Sequence, residues 1–217
     1  MKKYLNIIAT GILCMTLFAC KKESFNYPEG TVGTSKITVY PILALKSDRF
    51  VAVPVGGTYT EAGADATIAD APVEVKIGGQ VNTAVSGVYL LTYTATNSDG
   101  FSATLLRTVV VYDTKADAVG NNFSGSYLRE ATGEISVWTK IAPGVYVVSN
   151  PGGAAGAGGI KVAVINPTGF TIAMPDQKTE TGSWGANSES YRSDGKQYSW
   201  AVENATYGKQ LRTFVKQ

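Results

Sequence analysis

The sequence predicts an all-β protein made of two small antiparallel β modules in series. Apolar residues recur with period two, as in Val73, Val75 and Ile77 set against Glu74 and Lys76, which is the pattern of half-buried strands. Turn residues separate the segments at Gly78-Gly79, Asn97-Ser98-Asp99-Gly100 and Pro143-Gly144, where glycine and asparagine tolerate a positive φ at little cost. No long window carries the 3.6-residue stripe of a helix.

The chain opens on a leader. Lys2 and Lys3 precede the apolar run from Ile7 to Phe18, which ends in Leu17-Phe18-Ala19-Cys20. A basic start, a short apolar core and a small residue before the cut are the layout of a secretory signal peptide, and the run is short for a membrane span. A cysteine directly after Leu-x-Ala resembles the lipobox of bacterial lipoproteins, with Phe18 standing where a small or β-branched residue is usual. The resemblance implies loss of residues 1–19 and diacylglycerol on the Cys20 sulfur, so that a membrane is a partner through the N-terminal lipid. The alternative is an ordinary cleaved signal with Cys20 a spare thiol. Residues 20–35 hold Pro28, Gly30 and Gly33 without an apolar period and read as a flexible tether of about 20 Å r.m.s. reach. Lys21 follows the cysteine where aspartate marks inner-membrane retention in other lipoproteins. The expected location is therefore the outer membrane, lipid-anchored, with cell-surface exposure left open.

The leader takes two of the 19 basic residues of the 217-residue chain and none of its 17 acidic ones, so the remainder is balanced. With no basic stripe, nucleic acid is not an expected partner. The cysteines, Cys14 and Cys20, leave no disulfide for the folded part, which must cohere by core burial. The chain has no histidine, which removes Ser-His-Asp and Cys-His nucleophile systems and histidine-ligated zinc. No cofactor or metal is expected, since Asp65 and Asp70 lack the dense acidic spacing of a calcium loop. Glu130 with Glu134, or Asp176 with Glu180, are the conceivable glycosidase pairs, but sequence proximity on β structure is no evidence for two acids held across a cleft at the separation that chemistry needs. No enzyme is predicted. The run from Gly152 to Gly159 lacks the Gly-Lys-Ser/Thr ending of a phosphate loop and reads as flexible linkage, with covering a binding face as a lesser role.

Residues 36–113 form the first module. Gly87 to Val111 reads as a hairpin about Asn97–Gly100, with Tyr89, Leu91, Tyr93 and Ala95 on one face. Ser86-Gly87-Val88-Tyr89-Leu90-Leu91 resembles the tyrosine-corner segment of immunoglobulin-like sandwiches, in which a tyrosine two residues before the second core cysteine bonds back to the backbone; Leu91 takes the cysteine's place. Gly57-Thr58-Tyr59, Glu61, Gly63-Ala64, Ala66, Val81-Asn82-Thr83, Gly87-Val88-Tyr89, Tyr93-Thr94-Ala95, Gly100 and Arg107-Thr108-Val109 together resemble the bacterial immunoglobulin-like domains of the DUF5011 or HYR-like type. That resemblance implies a β-sandwich acting as spacer or platform.

Asp113 to Asn122 reads as a polar hinge, and residues 114–217 as a second antiparallel β domain, a sandwich or barrel. Ile135, Val137, Thr139 and Ile141 alternate with Glu134, Ser136, Trp138 and Lys140. Further strands are expected at Val145 to Ser149, Ile160 to Val164, Phe170 to Met174, Gln197 to Glu203 and Gln210 to Lys216. Signal, tether, sandwich and C-terminal β domain together resemble the accessory lipoproteins of starch-utilisation-type glycan uptake systems in Bacteroidetes. This implies a non-catalytic role in binding a polysaccharide or oligosaccharide beside an outer-membrane transporter complex.

Tryptophan supplies the candidate ligand-binding residues. Tyr198, Trp200 and Val202 share a strand face, so Trp200 is expected in the core. Trp138 sits on the polar face of its strand, and Trp184 lies in the turn-rich stretch Thr181–Asn187. An exposed ring beside short polar side chains suits the apolar face of a pyranose, so Trp138 and Trp184, with Tyr191 near Arg192 and Asp194, are the expected sugar platform. The competing reading packs Trp138 on the other domain and anchors a loop with Trp184, which leaves a structural or protein-interaction role. Rings more than about a third exposed around one concavity would favour sugar, and buried rings would remove it.

Overall fold

The computed structural model describes residues 28–32 and 35–217. The expected leader and Cys20 lie outside the described residues, as does most of the expected tether. The chain divides into two units, residues 1–39 and residues 40–217. In the first, β1 (Thr31–Val32) pairs with β2 (Ser35–Lys36), and the Ile37 amide bonds back to the Gly30 carbonyl at 2.8 Å. A small hairpin thus stands where the sequence shows no period.

The second unit begins with a sandwich of β3 (Ile42–Leu45), β4 (Phe50–Pro54), β5 (Ala64–Ile68), β6 (Ala71–Pro72), β7 (Lys76–Gly78), β8 (Gly87–Thr96) and β9 (Ser102–Tyr112). One sheet has the order β3-β5-β6 and the other β4-β9-β8-β7, with β4 parallel to β9. The fold is immunoglobulin-like. The predicted hairpin is present as β8 and β9. Its turn closes through the Asn97 side chain, which accepts from the Asp99 and Phe101 amides, and through Gly100 at φ 87°. The predicted tyrosine corner is also present: the Tyr89 hydroxyl donates to the Val85 carbonyl at 2.8 Å, and Leu91 is buried behind it. The expected continuous strand over Val73–Ile77 is instead broken, because the chain leaves one sheet at β6 and enters the other at β7. Ile77 is consequently exposed.

Sheet β4-β9-β8-β7 buries one face in the sandwich and, along β4 and the adjoining parts of β8 and β9, the other face as well. Val53, Leu91, Tyr93 and Val109 point into the sandwich. Phe50, Ala52, Val88, Val110 and Tyr112 point the other way, onto Val145 and Ala163 of the next domain. This accounts for an unbroken buried run, Val109-Val110-Val111, where a one-sided sheet would alternate.

Asp113–Asn122 is not an open hinge. It carries α1 (Ala116–Val119), and the Asn121 side chain bonds Asn166 and the Gly169 carbonyl. Beyond it run β10 (Gly125–Arg129), β11 (Glu134–Ala142), β12 (Val145–Ser149), β13 (Lys161–Ile165), β14 (Gln177–Thr179), β15 (Gly182–Tyr191), β16 (Gln197–Glu203) and β17 (Leu211–Lys216). They form one eight-stranded antiparallel sheet in the order β13-β12-β11-β10-β17-β16-β15-β14. The sheet is nearly closed: the Ile165 and Ala173 backbones exchange hydrogen bonds across the seam. The expected strand from Phe170 to Met174 is reduced to that single bridge. No helix among the described residues is long and apolar enough to cross a membrane.

Candidate functional site

The three expected sugar-binding rings are interior. Trp138 is 1% exposed, Trp184 1% and Tyr191 7%. Trp138 packs inside its own sheet, against neither the sandwich nor solvent, with ring centroids 4.9 Å from Tyr198 and 5.7 Å from Trp200. Trp184 sits on strand β15, not in a loop; its indole donates to the Thr181 hydroxyl at 3.3 Å and its ring lies 5.1 Å from Tyr207. Tyr191 lies 3.9 Å from Phe123, and its hydroxyl meets that of Tyr127 at 2.8 Å. Burial raises the pKa of the Tyr191 phenol. Trp200 is core as expected.

The physical reason lies in closure. An eight-stranded sheet curled on itself encloses a volume that side chains must fill, and large rings fill it best. Ser136 and Trp138 therefore face inward, while Ile135, Val137 and Ile141 are left 42%, 40% and 37% exposed. Alternation identified the two faces of β11 correctly and assigned them to the wrong sides. Strand β15 was missed because glycine, serine and asparagine, poor strand formers, dominate it.

The Gly/Ala run is pinned at Gly152, Gly153 and Ala157, which are buried, while Ala155, Gly156, Gly158 and Gly159 are exposed. Gly153 takes φ 53°, and a Cβ there would sit 2.6 Å from Arg129 and 2.7 Å from Phe214. The Trp200 indole donates to the Pro151 carbonyl at 2.9 Å, and Arg212 donates to the Gly152 carbonyl at 3.0 Å. Ala157 is fully buried in the aromatic core. Burial, with Arg129 nearby, lowers the Arg212 pKa.

Within the sandwich, four residues of the resemblance pattern meet. Arg107 is fully buried and forms an ion pair with Glu61. It also donates to the Tyr93 hydroxyl at 2.8 Å and to the Asp48 carbonyl at 3.1 Å. Tyr59 and Tyr93 both donate to Glu61. Burial acts to raise the Glu61 pKa, but the hydrogen bonds from Tyr59, Tyr93 and the Gly63 amide, with the Arg107 charge, hold the carboxyl below its ordinary range. Burial and then the Glu61 carboxylate push the Tyr59 phenol up to about 12.

Two clefts flank the junction of the domains. One, about 590 Å³, lies between Asp48-Arg49-Phe50 and the outer faces of β11 and β12, with Val137, Ile141 and Val147 in its wall. Arg49 stacks over Phe50 at 5.2 Å and pairs with Glu180 from the far domain. The other, about 600 Å³, lies between Val88 and Leu90 of β8 and a polar set that includes Asp176, Lys178, Ser183 and Glu203. Sequence neighbours thus separate: Asp176 enters a cleft, whereas Glu180 serves an ion pair. Nothing in the sequence joins Asp176 to Glu203; only the β14–β15–β16 register does. Asp65 pairs with Lys46 at 2.9 Å, and Asp70 sits in a tight turn at φ 64°. Among the described residues, no group of three or more His, Cys, Asp or Glu could hold a metal ion.

No curated protein matches the chain significantly. The structure is similar to the crystal structure of the lipoprotein BT2262 from Bacteroides thetaiotaomicron, with 23% identity over 82% of this chain and 100% of that one and a TM-score of 0.44. A Clostridium perfringens ZmpB structure, the M60 catalytic domain with the CBM51-1 and CBM51-2 domains, matches at 16% identity over 83% of this chain and 21% of that one, TM-score 0.33. Another from ZmpB, CBM51-2 in complex with GlcNAc and INT domains, matches at 17% identity over 81% of this chain and 43% of that one, TM-score 0.31. Residues 43–111, which hold the Glu61–Arg107 pair and the tyrosine corner, match the family model described as bacterial surface protein, Ig-like domain.

Proposed function

We propose that this chain is a non-catalytic, lipid-anchored protein of the bacterial cell envelope that docks a partner protein on the outer face of β11. One observation carries the reading. Ile135, Val137 and Ile141 stand in water in a single row beside a cleft, while all three tryptophans are spent inside. A row of apolar side chains left exposed on a well-packed sheet marks a contact surface. Acylation of Cys20 and residence in the outer membrane belong to the same proposal and rest on the lipobox-like end of the leader. Placing the photocrosslinker p-benzoylphenylalanine at Val137 in intact cells should give one discrete protein adduct, and placing it at Thr213 none. Failure to crosslink from Ile135, Val137 and Ile141 alike would remove the docking role. Membrane fractionation of Cys20→Ala protein tests the anchor, which falls if that variant still sediments with membranes.

A second reading, glycan binding beside an outer-membrane uptake system, loses Trp138, Trp184 and Tyr191 as its platform. The polar cleft against β8 is the observation that favours it.

A further inference from the structure

We infer that the cleft between β8 and strands β14–β16 is a saccharide site of a kind that needs no aromatic ring; this deepens the glycan reading and rests on it. The register builds the site. Lys178 pairs with Ser183 across β14 and β15, and Gly185 pairs with Glu203 across β15 and β16. Asp176 leans over Gly185, where any Cβ would overlap its carboxylate. The missing side chain at Gly185 therefore lets two carboxylates, Asp176 and Glu203, share one outward shelf with an ammonium and a hydroxyl beside them.

The chemistry fits a polyol. Carboxylates accept hydrogen bonds from pairs of hydroxyls, whereas Lys178 and Ser183 donate to ring and hydroxyl oxygens. Val88 and Leu90 form the opposite wall, an apolar surface for the C–H face of a pyranose. Glu203 is oriented by the Asn187 side-chain amide at 2.6 Å. The side chains of Asp176 and Lys178 make no hydrogen bond or ion pair with other described residues and are free to meet a ligand. A volume of about 600 Å³ is ordinary for a small-molecule site. Two carboxylates against one ammonium disfavour an acidic sugar, so the ligand class is an uncharged saccharide.

Affinity electrophoresis of the full acylated chain in detergent tests this, through gels holding neutral glucan, mannan, galactan or xylan, or a polyuronate. At least one neutral polymer should retard the protein, with affinity lost by about tenfold or more in Asp176→Asn/Glu203→Gln and unchanged in Thr213→Ala, an exposed position on β17. Lys178→Gln, a single exposed change, should weaken binding and covers the case in which the double variant misfolds. Unaltered retardation of the double variant and of Lys178→Gln would overturn the site while leaving a glycan role elsewhere. Preference for the polyuronate would overturn the ligand class. Retardation by none of the polymers would overturn the glycan reading and this site together.

Discussion

The side-chain amide of Gln177 does the work of a backbone: its carbonyl accepts from the Ala163 amide at 2.7 Å and its nitrogen donates to the Ala163 carbonyl at 2.8 Å. Gln177 opens β14 and Ala163 lies mid-β13, the two edge strands of the eight-stranded sheet. One side chain thereby satisfies both polar groups of a buried edge residue and closes the seam where the strands would otherwise present a free edge. Ala163 also packs on Val110 of the sandwich, so the seam is closed under the domain junction.

Gln177→Leu should therefore cost about 2 kcal/mol, because it leaves the buried N–H and C=O of Ala163 unpaired. Urea titration checks the magnitude, and amide exchange at Ala163 should speed up more than at Val148, which is mid-sheet.

Arg107→Met should destabilise by about 3 kcal/mol, since it strips Glu61 of its cation and three backbone carbonyls of a donor. Glu61→Gln should be comparably costly because it leaves Arg107 buried and uncompensated. The double variant should lose less than the sum of the two, as expected for groups in direct contact. Calorimetric melting would show about 2–4 °C per kcal/mol for a chain of this size.

The same network sets two pH limits. Glu61 has a folded pKa below its ordinary 4.5, so its contribution is complete above 4.5 and is lost as pH falls through the lower folded value. The Tyr59 phenol runs the other way. Raised from 10.0 to about 12, it contributes fully below 10 and loses that contribution as pH climbs toward 12. Stability measured from pH 2 to 6 should flatten in Glu61→Gln relative to the native chain, and Tyr59→Phe should flatten the alkaline limb.

Because Trp138, Trp184 and Trp200 are all buried in the C-terminal sheet, native emission should be blue-shifted and resist iodide quenching. Trp184→Ala should cost about 3–5 kcal/mol. A quenchable tryptophan in the folded chain would contradict the packing that removed the stacking platform.

Gly153→Ala should destabilise by roughly 1–3 kcal/mol, through its positive φ and the overlap with Arg129 and Phe214. Gly156→Ala, with open space around its Cβ direction but the same φ sign, should cost less. Limited proteolysis should cut at the buried Gly152-Gly153 step faster in Gly153→Ala than in the native chain.

The Tyr89 corner was legible only through the family resemblance, whereas the sequence by itself determined the all-β class, the β8–β9 hairpin and the strands β12, β13, β16 and β17. Each of these rests on period-two alternation or on turn chemistry within about twenty-five residues, which local physics reads directly. Only the tertiary structure decided which face of β11 is inside. Alternation names two faces but not their sides, and closure of the sheet reversed the choice made on polarity by requiring bulk in its interior. The same holds for the Gln177–Ala163 seam, the Arg107–Glu61 pair and the shelf of Asp176 and Glu203. Their members lie 14 to 46 residues apart and meet through strand register, which no single segment encodes.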